Sequence, residues 1–398
     1  MDTEAGVVSV DARAMGNALH GDHVLVEVRS VAARGFMRGS LQRILERPPQ
    51  RLTGVLDPAR GFVADDARFP RPLRCAMPRS LGSRSELYGA ELLAQPTERG
   101  PEVRLVCRLG ERAVAADERG AMLWREQVEE GFPRTALEEA RAESRKPQVP
   151  SARHEDLREL SFVTIDPPDA EDHDDALFAE RLRGGRVRCC IAIADVASLV
   201  AQGGPLDLEA RERGATLYIP GLLIPMLPRC ISTDAASLLP GQDRSAVVLD
   251  VILDEAGRIQ KRRLRLGVIR SRERLSYDEA ADLLYDAASA HPDVRAFAPM
   301  VTLLDEVACT LRERRARRGA LQIDTPSVRV DVSEDGEPVR MRQVGTDRWR
   351  KRACGLVEEL MLLANEAVAE MLEAVGMDAF CRSHAAPSSI DVSRIRAT

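Results

Sequence analysis

The chain has 398 residues, 44% of them apolar, and 57 Lys plus Arg set against 63 Asp plus Glu. At roughly 150 residues per domain, that is two or three domains with enough apolar content for a sizeable core. No apolar run approaches the ~18 residues of a membrane span, and the opening MDTEAGVVSVDARAM lacks a charged-then-apolar leader pattern. Eight cysteines without CxxC spacing indicate neither a zinc site nor a disulfide framework, so a reducing cytoplasm and no membrane partner are expected. The net charge of −6 does not exclude a nucleic-acid partner, because a basic stripe can coexist with an acidic total.

Residues 6–47 alternate in short pieces (VVSV, HVLVEV, GSLQRIL) with glycine at the joints, which predicts a few strands. After Pro48 and Pro49, a second β-rich stretch runs from about Arg51 to Met122 through LTGVL, GFVADD, AELLA, EVRLVCRLG and AVAAD. Its aromatics Phe62, Phe69 and Tyr88, like Phe36 before them, are expected to pack in a core. Residues 134–146 carry a polar helical pattern, and Lys146 to Pro150 read as a linker. Strands and helices then mix. Cys189 and Cys190 lie in a strand-like run and are expected in the core. Helical apolar spacing marks Leu206 to Arg213, Tyr277 to Ala288, Val294 to Ala316 and Leu356 to Val375.

The most informative stretch is TIDPPDAEDHDDALF, Thr164 to Phe178, with Asp166, Asp169, Glu171, Asp172, Asp174 and Asp175 inside ten positions. Leu160, Phe162, Val163 and Ile165 precede the acids, and Ala176, Leu177 and Phe178 follow them. Carboxylates crowded between strand-like segments repel one another and resist burial unless something positive sits among them. A hard divalent cation meets that need, keeping waters and substrate phosphates in its remaining positions. Two such ions can clamp the attacking and leaving oxygens of a phosphodiester displacement. An acidic surface loop is the plain alternative; a calcium loop would need a glycine at its sharp turn and a late glutamate. Pro167 and Pro168 force an extended turn after a strand ending at Ile165. On an extended segment Asp172 and Asp174 point to one side and Asp175 to the other.

Asp166, five residues, Asp172, one residue, then Asp174-Asp175-Ala176 resembles the signature of the ribonuclease II / ribonuclease R family. Further blocks stand in that family's order: GATLYIPGLLIPMLP (214–228), RRARRGALQIDTP (314–326) and VEELMLLAN (357–365). Smaller echoes are IAIADVASLV (191–200) and VIRSRERLSYDEA (268–280). The resemblance spans roughly Asp156 to Pro387. A weaker extension reaches AMGNALHGDHVLVEV (14–28), which looks like the last half of a cold-shock barrel.

The resemblance implies an α+β multidomain chain. Cold-shock or OB-like β-barrel modules would occupy 1–50 (partial) and 51–133, a helix and linker 134–150, and a mixed α/β RNB-type catalytic domain 151–398. That domain would be incomplete at its C-terminus: after His384 the chain offers Arg394 and Arg396 but not the family's Ser-Pro-Ile-Arg-Arg-Tyr-like motif or S1 barrel. The implied activity is hydrolytic 3′→5′ exoribonuclease action by a monomer on single-stranded RNA, releasing nucleoside 5′-monophosphates. Mg2+ would assist, with Mn2+ as the second option that aspartate ligands leave open.

Site residues carry over one by one. Asp166, Asp172, Asp174 and Asp175 would bind metal and act in catalysis, with Asp174 the acid whose loss abolishes turnover while sparing RNA binding. Asp169 and Glu171 would stand behind the ligands or face solvent, and His173 occupies a variable position. Tyr218 would stack near the 3′-terminal nucleotide. Glu358 and Asn365, two helical turns apart, can face one pocket; Glu359 points about 100° away and reads as structural, with an exchange of roles between Glu358 and Glu359 left open. Arg318 would position a phosphate, and Gly319 permit a tight turn. The clusters Lys261 to Arg265, Arg312 to Arg318 and Arg348 to Arg352 are either phosphate contacts or solvated faces. Two rival readings are a catalytically impaired RNA-binding paralogue or fragment, and an unrelated two-metal phosphoesterase acting on small nucleotides.

Overall fold

The computed structural model describes residues 2–3, 6–11, 14–31, 37–78, 83, 85–94, 100–147, 153–321, 327–333, 336–344, 347–381 and 383. Phe36, linker residues 148–150, residues 322–326 and the tail with His384, Arg394 and Arg396 lie outside them. The chain forms two compact units, the first from 1–132, 216–224 and 329–342, the second from 133–215, 225–328 and 343–398.

In the first unit, β1 (Asp2–Thr3), β2 (Gly6–Val10), β3 (His23–Val31) and β4 (Met37–Glu46) form a sheet of order β1-β2-β4-β3. Val8 is its one member in the buried apolar core among the described residues. A buried ion pair steadies this region: Arg47 grips Asp22 at 2.8 and 2.7 Å and donates to Asn17 O at 2.9 Å. The next five strands are β5 (Arg51–Asp57), β6 (Gly61–Ala64), β7 (Arg74–Cys75), β8 (Glu86–Leu92) and β9 (Glu102–Glu111), in order β6-β5-β8-β9-β7. Phe62 and Phe69 sit in their core with Leu52, Leu73 and Val103.

AVAAD does not continue this sheet. Ala113 turns into the left-handed region (φ 68°), and helix α1 (Ala115–Glu126) begins. Its alanines and acidic first turn favour helix over strand. Gly89 makes room for it: a Cβ there would lie 2.6 Å from Trp124 Nε1. The first unit also holds the hairpin β14 (Leu217–Ile219) and β15 (Leu222–Ile224), and most of a second hairpin described below.

The second unit begins with α2 (Arg134–Ser144) and is built on a seven-stranded sheet. Its strands are β10 (Glu155–Asp156), β11 (Val163–Asp166), β12 (Asp175–Arg181), β13 (Val187–Ala194), β16 (Asp243–Leu253), β17 (Ile259–Arg270) and β18 (Glu273–Ser276), in order β10-β17-β16-β13-β12-β11-β18. The interior pairs are antiparallel, while β10–β17 and β11–β18 are parallel. Side chains alternate between two cores with period two. Leu177, Cys189 and Ile191 join one core; Ala176, Cys190 and Ala192 join the other. The adjacent cysteines thus point to opposite faces, both buried and free.

Helices α4 (Tyr277–Asp286), α5 (Pro292–Arg295), α6 (Ala298–Arg317) and α7 (Arg348–Ala374) contribute to the first of these cores. Helix α3 (Pro205–Arg213) packs with α2 and the π-helical turn Cys230–Ala235 in a separate cluster. Strands β19 (Ser327–Val332) and β20 (Pro338–Val344), which follow α6 and precede α7 in the chain, pair with each other. The expected 294–316 helix is split because Pro299 restarts it near the N-terminus of α6. Helix α7 starts two turns earlier than its apolar spacing suggested, because Asp347 caps it by accepting from Arg350 N at 2.7 Å. Gly319 has φ 92°, in keeping with the turn expected there.

Candidate metal-binding active site

Strand β11 delivers Asp166 at its last position, opposite Ser276 of β18. The two prolines carry the chain away from the sheet, and Ala170 N closes a turn on Pro167 O at 3.0 Å. Residues 171–174 belong to no regular element, and β12 begins at Asp175. Backbone anchors shape the loop instead: His173 N donates to Ser237 Oγ at 3.0 Å, Leu238 N to His173 O at 2.8 Å, and Ala194 N to Asp174 O at 2.8 Å.

The four aspartates of the signature interact. Asp166 is buried, with Oδ2 2.7 Å from His173 Nδ1. Asp174 is exposed overall, yet partial desolvation of its carboxyl, then the carboxylates of Asp172 and Asp166, raise it above its ordinary value. Burial, then Asp166 and Asp174, push Asp175 up to about 7. Asp175 Oδ2 is buried without a hydrogen-bond partner among the described residues. Tyr277 stands close enough that its phenol, raised to about 12 mainly by burial, also feels Asp166 and Asp175. Asp169 and Glu171 are exposed, and Glu171 pairs with Arg229.

An orphaned carboxylate oxygen beside mutually repelling acids is a site short of positive charge. The donors are oxygens only, which suits Mg2+ or Mn2+. Among the described residues no three His, Cys, Asp or Glu side chains converge into a ready cage. Mg2+ does not require one, since one or two carboxylates with water and phosphate oxygens suffice. The residues fit such an ion.

The other expected residues stand on other elements. Tyr218, on β14 in the first unit, is 72% exposed. Glu358 and Asn365 are both exposed on α7, while Glu359 is 3% exposed and bound by Arg315 at 2.6 Å and Arg312 at 3.5 Å. Arg318 ends α6 and pairs with Glu366 at 2.9 Å. A cavity of about 360 Å³ between α6 and α7 is lined by Arg314, Arg315, Arg318, Glu359 and Glu366 among others, and by none of the four aspartates. Sequence reasoning missed the His173 bond to Asp166, seven residues back, and the contacts of Ser237 and Tyr277, whose partners are distant in the chain.

An RNB domain model matches residues 154–398. The chain is 32% identical over 388 residues to ribonuclease R of Thermotoga maritima, covering 95% of this chain and 54% of that protein. It thus spans about half the length of that curated relative. The fold superposes on Mycoplasma genitalium RNase R, solved with ribose-methylated single-stranded RNA, at TM-score 0.82 and 24% identity, covering 96% of this chain and 61% of the other. Yeast Ssd1, described as a pseudonuclease, shares the fold at TM-score 0.67 and 19% identity, covering 94% of this chain and 47% of the other. With the aspartate signature on its sheet and the domain match across more than half its residues, the chain belongs to the RNB (ribonuclease II / ribonuclease R) family.

Proposed function

We propose that the chain acts as a hydrolytic 3′→5′ exoribonuclease on single-stranded RNA, yielding nucleoside 5′-monophosphates, as a cytoplasmic monomer. The observation that carries this reading is the buried Asp175 Oδ2, without a hydrogen-bond partner among the described residues, beside Asp166 and Asp174. Asp166, Asp172, Asp174 and Asp175 would hold Mg2+, or Mn2+ in its place. When bound, the ion supplies Lewis-acid stabilisation of a phosphodiester displacement by water. Tyr218 supports stacking on a terminal base, Glu358 and Asn365 contacts to the nucleotide, and Arg318 a phosphate contact. The β-rich modules at 1–50 and 51–133 are proposed as OB-like RNA guides preceding a helix and linker at 134–150 and the catalytic part at 151–398.

The fold alone does not decide for turnover over a purely RNA-binding role, because a pseudonuclease shares it. The four retained aspartates favour turnover. The test is Mg2+-dependent release of 5′-monophosphates from a single-stranded oligoribonucleotide. Asp174→Asn is expected to cut the rate by about 10² or more, the scale of losing a group that stabilises the transition state. RNA affinity should hold or rise, since a carboxylate facing phosphate is removed. An Asp174→Asn protein as fast as its parent defeats the reading.

A further inference from the structure

We propose that His173 is a positioning residue whose imidazole fixes the Asp166 carboxylate in the orientation in which it meets a divalent cation. This rests on the metal-dependent reading above. Nδ1 of His173 lies 2.7 Å from Asp166 Oδ2, with the two side chains 1% and 13% exposed. An ionised carboxylate can only accept, so the proton of this bond sits on Nδ1.

The ring has little freedom to drift. The His173 backbone is held on both sides, its N–H by Ser237 Oγ at 3.0 Å and its C=O by Leu238 N at 2.8 Å. Ser237 is itself fully buried and donates onward to Glu171 O at 3.3 Å. The loop, the serine after the π-helical turn and the end of β11 are thereby locked together. An aspartate carboxylate otherwise turns in a broad, roughly two-fold torsional well. With Oδ2 engaged by the ring, Oδ1 is the oxygen without a hydrogen bond among the described residues. Partners of this kind behind a metal ligand commonly change metal affinity 10- to 100-fold. An apolar side chain would fill the same buried space but leave Asp166 free to turn.

The experiment titrates the metal-free chain with Mn2+ alone and follows the EPR signal of free Mn2+. His173→Leu keeps the bulk and removes the donor. His173→Asn restores a donor close to the place of Nδ1. Binding should weaken about tenfold or more in His173→Leu and return to within about threefold of the parent in His173→Asn. A role in packing alone would not be rescued by asparagine. If His173→Leu does not fold, His173→Gln, whose amide sits one methylene further out, takes its place in the comparison with His173→Asn. Parental affinity in His173→Leu, or in His173→Gln where that stands in, overturns the inference and leaves the metal reading intact. A parent with no Mn2+ binding that Asp174→Asn abolishes overturns the metal reading, and the inference with it.

Discussion

A single carboxyl shows what the candidate site costs the metal-free fold. Asp175 opens β12, paired with Ile193, with its Oδ2 buried and without a hydrogen-bond partner among the described residues. Its pKa is raised from 3.8 to about 7 by burial and by Asp166 and Asp174. Between those values the native state keeps a proton that the unfolded chain has released, so metal-free stability falls as pH rises through the window. The cost above pH 7 is roughly 1–3 kcal/mol, discounted from about 1.4 per unit because the group keeps some solvent contact. Asp175→Asn should therefore melt above the parent at pH 8 in chelator, with that gain gone at pH 4. Added Mg2+ should close the gap at pH 8 by stabilising the parent. A metal-free Asp175→Asn protein that melts below its parent at pH 8 contradicts this account.

At the scale of elements, α6 and α7 are joined by arginines that the sequence offered as phosphate ligands. Glu359 is buried and held chiefly by Arg315, so Arg315→Ala should cost about 2–4 kcal/mol by leaving a buried carboxylate poorly compensated. Arg318 and Glu366 are both half-exposed, and Arg318→Ala should stay within about 0.5 kcal/mol. Denaturant melts of the two variants separate the cases, and equal losses would mean that burial does not govern the pairs. The contrast marks what sequence could reveal. Helical angles separated Glu358 from Glu359, since successive residues diverge by about 100° whatever the tertiary context. Apolar spacing likewise located α3 and α4 to within a residue or two. It failed for AVAAD, where small residues satisfy both periods, and for the start of α7, which a capping aspartate sets. The acidic run itself was legible because crowded charge is a local property. The Asp166–His173–Ser237 arrangement was not, because it needs three segments brought together by the sheet and the π-helical turn.

For the whole molecule, the question is how a chain of net charge −6 would hold a polyanion. Most cationic side chains in its basic clusters are already engaged. Arg263 and Arg265 share Glu155, and Arg265 also reaches Asp250 at 2.6 Å. Arg262 pairs with Glu370, and Arg352 holds the buried Asp305 at 2.5 to 2.9 Å. These contacts knit the sheet and helices together, so clustered sequence charge overstates the surface available to phosphate. The proposed RNA binding would then draw on exposed arginines with exposed partners, such as Arg317 with Glu313 and Arg318 with Glu366, of which the family resemblance singles out Arg318. Single-stranded RNA affinity should fall with salt at about −0.7 in log–log slope per phosphate neutralised. Arg318→Ala should flatten that slope by about one such increment, while Arg352→Ala should destabilise the fold and leave the slope of the folded fraction unchanged. The measurement is a series of binding isotherms across salt concentrations, made below the melting transition of each variant. If Arg318→Ala keeps the parental slope, its guanidinium serves Glu366 and the end of α6 alone, and the phosphate contacts must come from another part of the surface.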